Sequence, residues 1–244
     1  MRVEAYIEAI QEQGAALHRA AMAVGPDAAV PGCPGWTVAV LLEHLGLVQR
    51  WATSFVRDDR AASFDDLEEK PSFVDPERWF LDGLAELTAA LRAAPPDLRC
   101  WTFRPAAAPL AFWARRQAHE LAIHRSDVDA AASAVTAFDP EFAADGVDEL
   151  VVTLLGERGG RFRASPPRSL AIRPADAAGA LRIEILPDGR RIGPDGGDPA
   201  DCVIAGRAAD LYLFLWNRQP ARQPEITGDL RVVEMWRSAV RVVR

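Results

Sequence analysis

The chain has 244 residues, 49% of them hydrophobic and 26% charged, and a net charge of −7. That is enough to bury a core without disulfide support, in one large domain or two modest ones. The acidic balance speaks against a surface for nucleic acid or for an anionic membrane.

Taken in chain order, the first half is helical. From Val3 to about Ala23, apolar residues recur at helical spacing (Tyr6, Ile7, Ile10, Ala16, Leu17). The stretch VGPDAAVPGCPGW breaks that helix. Thr37 is placed to N-cap a second helix, TVAVLLEHLGLVQRWATSFV. The polar segment Arg57 to Pro76 reads as a loop, with the charge run Asp65 to Lys70 as solvated surface. A third helix is expected from Pro76 to Ala93, stopped by Pro95-Pro96, and a fourth from Leu110 to Ala132 after DLRCWTFRPAAAP. Four helices of this length imply a bundle.

The second half changes character. Asp139 followed by Pro140 opens a helix to about Leu155, broken between Gly156 and Arg161. Strand-like runs follow: SLAIRP, ALRIEILPDGR with an Asp188-Gly189 turn, and DCVIAG. The helix AADLYLFLWNR comes next, then ITGD leading into a last helix from Leu230 to about Val242. The expected fold is two-domain α+β, with residues 1–138 forming the bundle and 139–244 a small α+β domain.

Cys33, Cys100 and Cys202 are scattered and form no CxxC pair, which argues against a disulfide framework and a thiolate zinc knuckle. The N-terminal MRVEAYIEAIQEQ is amphipathic and acidic, unlike a signal peptide, and no apolar run reaches the roughly 20 residues of a membrane helix. A cytoplasmic protein with no nucleic-acid or membrane partner is expected.

The fourth helix carries His119, Glu120 and His124 within WARRQAHELAIHR. Glu120 and His124, at i and i+4, stack on one face about 6 Å apart along the axis, near the spacing at which two side chains share a metal. Zinc takes imidazole nitrogen and carboxylate oxygen, and its catalytic sites commonly use three protein ligands plus water. His44, in the apolar VAVLLEHLGLV, is placed to face the bundle interior and supply a third ligand. His18 on the first helix is a possible substitute. His119 lies about 100° around the helix from Glu120 and cannot share its face. Against this, a lone histidine on an apolar helix is more often a satisfied core residue, and exposed Glu–His pairs are common. Arg115 and Arg116 are placed either to bind an anionic substrate or to cover the helix surface, the surface being the preferred reading, and Cys33 reads as a small buried side chain rather than a nucleophile. Asp127, three residues after His124, is placed either to orient its ring or to pair with a surface arginine.

The segment VPGCPGWTVAVLLEHLGLVQRWA, followed some seventy residues later by RRQAHELAIHRSDVDAA, resembles the mycothiol-dependent maleylpyruvate isomerase family. Its motifs have the form V-P-x-C-P-G-W-T-V-x-x-L-x-x-H-L-G and A-H-E-x-x-x-H-R-x-D. The likeness continues more loosely through AGRAADLYLFLWNR and ITGD. It implies a DinB-like four-helix bundle holding a divalent metal, usually zinc, and a sterol-carrier-like C-terminal domain. Carried over by motif, the metal ligands are His44, Glu120 and His124. The implied cosubstrate is mycothiol, whose thiolate adds to a conjugated double bond of a small electrophile. Bond rotation and loss of the thiol then give the trans isomer, while an S-transferase would leave the thiol attached. The resemblance also implies a catalytic arginine in the C-terminal half, with Arg218 the first candidate and Arg222 the second. The contrasting expectation is a non-catalytic, metal-stabilised protein that binds an apolar ligand or a partner.

Overall fold

The computed structural model describes residues 1–58, 75–156 and 161–240. The chain divides into two compact units, Met1–Thr136 and Ala137–Arg244.

The first unit holds four helices among the described residues: α1 (Val3–Val24), α2 (Val38–Asp58), α3 (Pro76–Ala93) and α4 (Pro109–Ala131). α1 packs on α4 and α2 on α3, and contacts of α1 with α3 and α2 with α4 close the bundle. The starts have local causes. Thr37 Oγ1 accepts from Val40 N at 3.4 Å ahead of α2. Asp75 caps α3 by accepting from Glu77 N at 2.9 Å, with Pro76 just inside the helix. Most of the expected loop from Arg57 to Pro76 lies outside the described residues.

The α2–α4 seam has an aromatic interior. Trp51 and Phe55 of α2 meet Trp113 of α4, with ring centroids 5.2 and 5.3 Å away, and Trp101 and Phe103 from the α3–α4 connection close over them. Trp113 Nε1–H donates to Trp101 O at 3.0 Å, so the buried indole has a partner. Phe55 and Trp113 are buried bundle core, Trp101 stays exposed above them, and the cluster joins the two helices that carry His44, Glu120 and His124.

The second unit begins with α5 (Pro140–Asp148), capped by Asp139, which accepts from Glu141 N and Phe142 N. α5 continues as a π-helical stretch, Glu149–Leu155. A five-stranded sheet of described residues follows, β1 (Arg168–Pro174), β2 (Leu181–Ile185), β3 (Arg190–Pro194), β4 (Cys202–Gly206) and β5 (Glu225–Gly228), in the order β3-β2-β1-β4-β5. β1 and β4 are parallel and every other pair is antiparallel. β2 and β3 form the hairpin expected at Asp188-Gly189, closed by Leu186 N to Gly189 O at 2.9 Å. α6 (Ala208–Leu215) and α7 (Leu230–Ala239) pack against β1 and β4, and α5 packs on α6. ITG, expected only as a lead-in, belongs to the short strand β5. α7 ends at Ala239, earlier than the expected Val242, and residues 241–244 lie outside the described set. No described helix is long and apolar enough to cross a membrane.

At Gly46, α2 leaves room for the Trp79 side chain of α3. A Cβ there would fall 2.2 Å from Trp79 Cδ1. Trp79 cannot yield easily: its Nε1–H donates to Glu43 O at 3.1 Å and the Arg50 guanidinium lies 3.5 Å over its ring. Gly46→Ala is therefore expected to destabilise by about 1–3 kcal/mol through overpacking, despite alanine's better helix propensity of roughly 1 kcal/mol. Gly14→Ala, whose Cβ would meet the flexible tip of Leu84 at 2.6 Å, is the milder control. Urea unfolding of the two variants beside wild type checks both the size and the order of the losses.

Candidate metal centre

α2 and α4 bring three of the expected side chains to one point. Glu120 Oε1 lies 3.3 Å from His44 Nε2 and 3.3 Å from His124 Nε2. Ligand atoms of the three residues lie within 4.8 Å of one another. A separation of 3.3 Å is long for a nitrogen–oxygen hydrogen bond, whose usual value is about 2.9–3.0 Å. It does match an edge of a tetrahedron around an ion: bonds of about 2.0–2.1 Å set ligand atoms roughly 3.3–3.4 Å apart. The donor set, two imidazoles and one carboxylate, suits zinc among divalent ions.

The other two histidines lie elsewhere. His18 Nε2 pairs with Glu77 Oε1 at 2.7 Å and takes no part in the cluster. His119 is fully buried, its ring edge-on to Tyr6.

Two of the sequence expectations for the neighbours are corrected. Arg116 is not surface: its side chain is only 7% accessible, and its Nη2 donates to Glu120 Oε2 at 3.2 Å. Cys33, expected as a small buried side chain, is only half-buried. Its thiol donates to Asp127 Oδ2 at 3.5 Å, and Cys33, Asp127 and His124 form a second close group. Asp127, 1% accessible, also accepts from His124 Nδ1 at 3.0 Å, so of its two expected roles it takes the one on the histidine ring. That bond fixes the tautomer and turns Nε2 toward Glu120.

The segment before α2 supplies the cover. Two consecutive turns, Val30–Cys33 and Cys33–Trp36, are closed by hydrogen bonds of 3.0 and 2.9 Å. Pro34 followed by Gly35 at φ +85° gives the second the backbone of a type II turn. These turns carry Cys33 to Asp127 and lay Trp36 on the histidines, its ring stacked on His124 at 6.2 Å and tilted over His44 at 4.9 Å.

Arg218 lies in the second unit, just past α6. It is half-buried, its backbone N–H donates to Leu213 O at 2.8 Å, and its Nη1 donates to Trp216 O at 3.0 Å. Arg222 is exposed, and its backbone N–H donates to Asp210 Oδ1 at 3.0 Å.

The cluster is strongly coupled electrically. Burial pushes the Glu120 carboxyl up, but hydrogen bonds to His124 and His44, with the charges of His124 and Arg116, hold it well below its ordinary value. Burial pushes His124 down, but hydrogen bonds with Asp127, Cys33 and Glu120 hold it well above its ordinary value. The two shifts together favour the charged pair, a carboxylate beside an imidazolium. The raised His124 stabilises the fold fully below its unfolded value, about 6.5, and that contribution fades as pH rises through the folded value. The lowered Glu120 contributes above its own unfolded value and loses the contribution as pH falls through the folded one. A cation ligated by His124 must displace its proton. Zinc uptake near pH 7 is therefore expected to release about one proton per ion, with affinity rising as pH climbs. Calorimetry in two buffers of different ionisation enthalpy measures that number, and uptake without proton release would count against His124 as a ligand.

Comparison with known proteins places the chain. Residues 7–129 match the model of the mycothiol maleylpyruvate isomerase N-terminal domain, and residues 141–234 the C-terminal domain model of the same family. Two solved structures share the fold. One is a mycothiol-dependent maleylpyruvate isomerase, with a TM-score of 0.61, 14% identity and 93% of each chain covered. The other is a histidine-to-alanine mutant described under the same name, with a TM-score of 0.59, 14% identity and the same 93% coverage. Comparison with curated protein sequences returns no match. The two domain matches together span nearly the whole sequence, and the chain belongs to the mycothiol maleylpyruvate isomerase family of enzymes.

Proposed function

We propose that this protein is a divalent-metal enzyme that uses mycothiol to isomerise, or to become attached to, a small electrophile. His44, Glu120 and His124 would hold the metal, zinc first among candidates, through Nε2, Oε1 and Nε2. The observation that carries the reading is the position of Glu120 Oε1, 3.3 Å from both histidine nitrogens, longer than an ordinary hydrogen bond and close to the ligand–ligand spacing around a tetrahedral ion. When bound, the metal would supply Lewis-acid stabilisation of a thiolate, the nucleophilic form of the cosubstrate. The names of the structural neighbours point to maleylpyruvate as the first electrophile to try.

The remaining work falls to side chains of this chain. Asp127 holds the His124 ring by its Nδ1–H and keeps Nε2 aimed at the cluster. Arg116 holds the outer oxygen of Glu120. Trp36 covers both imidazoles and limits water on that side. Arg218 would recognise a carboxylate of the substrate with its planar fork. A role as a non-catalytic binding protein has no observation in its favour.

Metal analysis of wild type and His124→Ala tests the centre. About one zinc per chain is expected in wild type and little in the variant, with thiol-dependent turnover lost alongside. Wild type that takes up no zinc and, given mycothiol, neither isomerises maleylpyruvate nor attaches the thiol to it would overturn the proposal. Arg218→Gln is expected to keep its zinc and lose about 10²-fold in kcat/KM on a carboxylate-bearing substrate. Unchanged kinetics would remove Arg218 from the mechanism.

A further inference from the structure

The two oxygens of Glu120 have different partners. Oε1 faces the two histidines, while Oε2 accepts from Arg116 Nη2 at 3.2 Å. Arg116 and Glu120 are i and i+4 on α4, so the contact is built into the helix and needs no loop to hold it. With its side chain only 7% accessible, Arg116 is shielded from solvent that would weaken the pair. Its guanidinium keeps its charge at any working pH.

From this division we infer that Arg116 is a positioning residue that reserves Oε2, so that Glu120 presents one oxygen, Oε1, to the cation. The inference rests on the metal reading above. A carboxylate binding through both oxygens would draw the cation toward Oε2, against the guanidinium charge 3.2 Å away. Confining the carboxylate to one oxygen keeps the protein's share at three donor atoms. That leaves a four-coordinate ion one position for the sulfur of the cosubstrate, the arrangement of catalytic rather than closed structural sites. A freed Glu120 would be able to supply a fourth donor atom and compete with the thiol. The fixed positive charge also favours an incoming thiolate over a neutral ligand.

The test uses cobalt(II) and zinc in the full-length protein, with Arg116→Met to remove the charge and Arg116→Lys to restore it. X-ray absorption of zinc-loaded wild type should show a single carboxylate oxygen at ligand distance; two would overturn the inference without any variant. In cobalt-loaded Arg116→Met, the visible ligand-field bands should weaken, as expected for a shift from four toward five donors. Its Kd for mycothiol, read from the sulfur-to-cobalt charge-transfer band, should rise roughly tenfold, the low end of the cost of losing an outer partner. Arg116→Lys should recover most of both signals. A methionine variant matching wild type in spectrum and thiol affinity would overturn the inference while leaving the metal reading intact. Wild type that takes up neither ion would overturn both. If the methionine variant does not fold, the wild-type absorption measurement still decides.

Discussion

The arrangement of this bundle turns on a charged cluster in an apolar seam. Glu120, His124, Arg116 and Asp127 project from α4, and all but Glu120 are buried. Such groups are tolerated only when each has partners, because desolvation is not recovered by packing. The structure supplies them from three directions. α2 brings His44, α4 brings Arg116 and Asp127 at helical spacing, and the turns before α2 bring Cys33 and Trp36. The aromatic core of Trp51, Phe55 and Trp113 lies two turns away along the same seam and fixes the facing of the two helices. Gly46, by letting Trp79 come close, sets the α2–α3 side. The cluster is thus as much a product of core packing as of its own polar groups.

Helices with a strong apolar stripe and clear punctuation were legible in the sequence. Asp139-Pro140 and Pro76 state where their helices begin, and the observed starts follow. β5 was missed because four residues ending in Gly228 carry too little alternation; its pairing with β4 is what makes it a strand. The π-helical stretch after α5 has no sequence signature of its own. Arg190, one of many arginines, was equally silent. Its guanidinium donates to the carbonyls of Leu155, Gly156 and Phe162, closing the end of that stretch.

At the site, the convergence of His44 with Glu120 and His124 was anticipated from helical spacing and motif. Arg116 was misread although the signal was present. It stands four residues before Glu120, the spacing that made the Glu120–His124 pair conspicuous, so 116, 120 and 124 form one stripe along α4. Surface was the default for an arginine, and that default outweighed the geometry. Cys33 is different in kind. It lies 94 positions from Asp127, and only the folded turns around Pro34-Gly35 bring the two together. No local pattern encodes such a contact.

A count of charge links the pieces. The carboxylates of Glu120 and Asp127 and the guanidinium of Arg116 sum to −1. Burial opposes a proton on His124, but its hydrogen bonds and the Glu120 charge favour one, and a protonated ring brings the sum to zero. Under the proposed metal reading, a divalent ion in place of that proton would take the same framework to +1. A buried site with one uncompensated positive charge favours a single anion, and a thiolate is one. Had Arg116 lain on the surface, the framework would sum to −2, a divalent ion would neutralise it, and the preference for an anionic cosubstrate would be lost. On the proposed metal reading, the buried arginine is therefore what would turn these residues into a site poised for a thiolate.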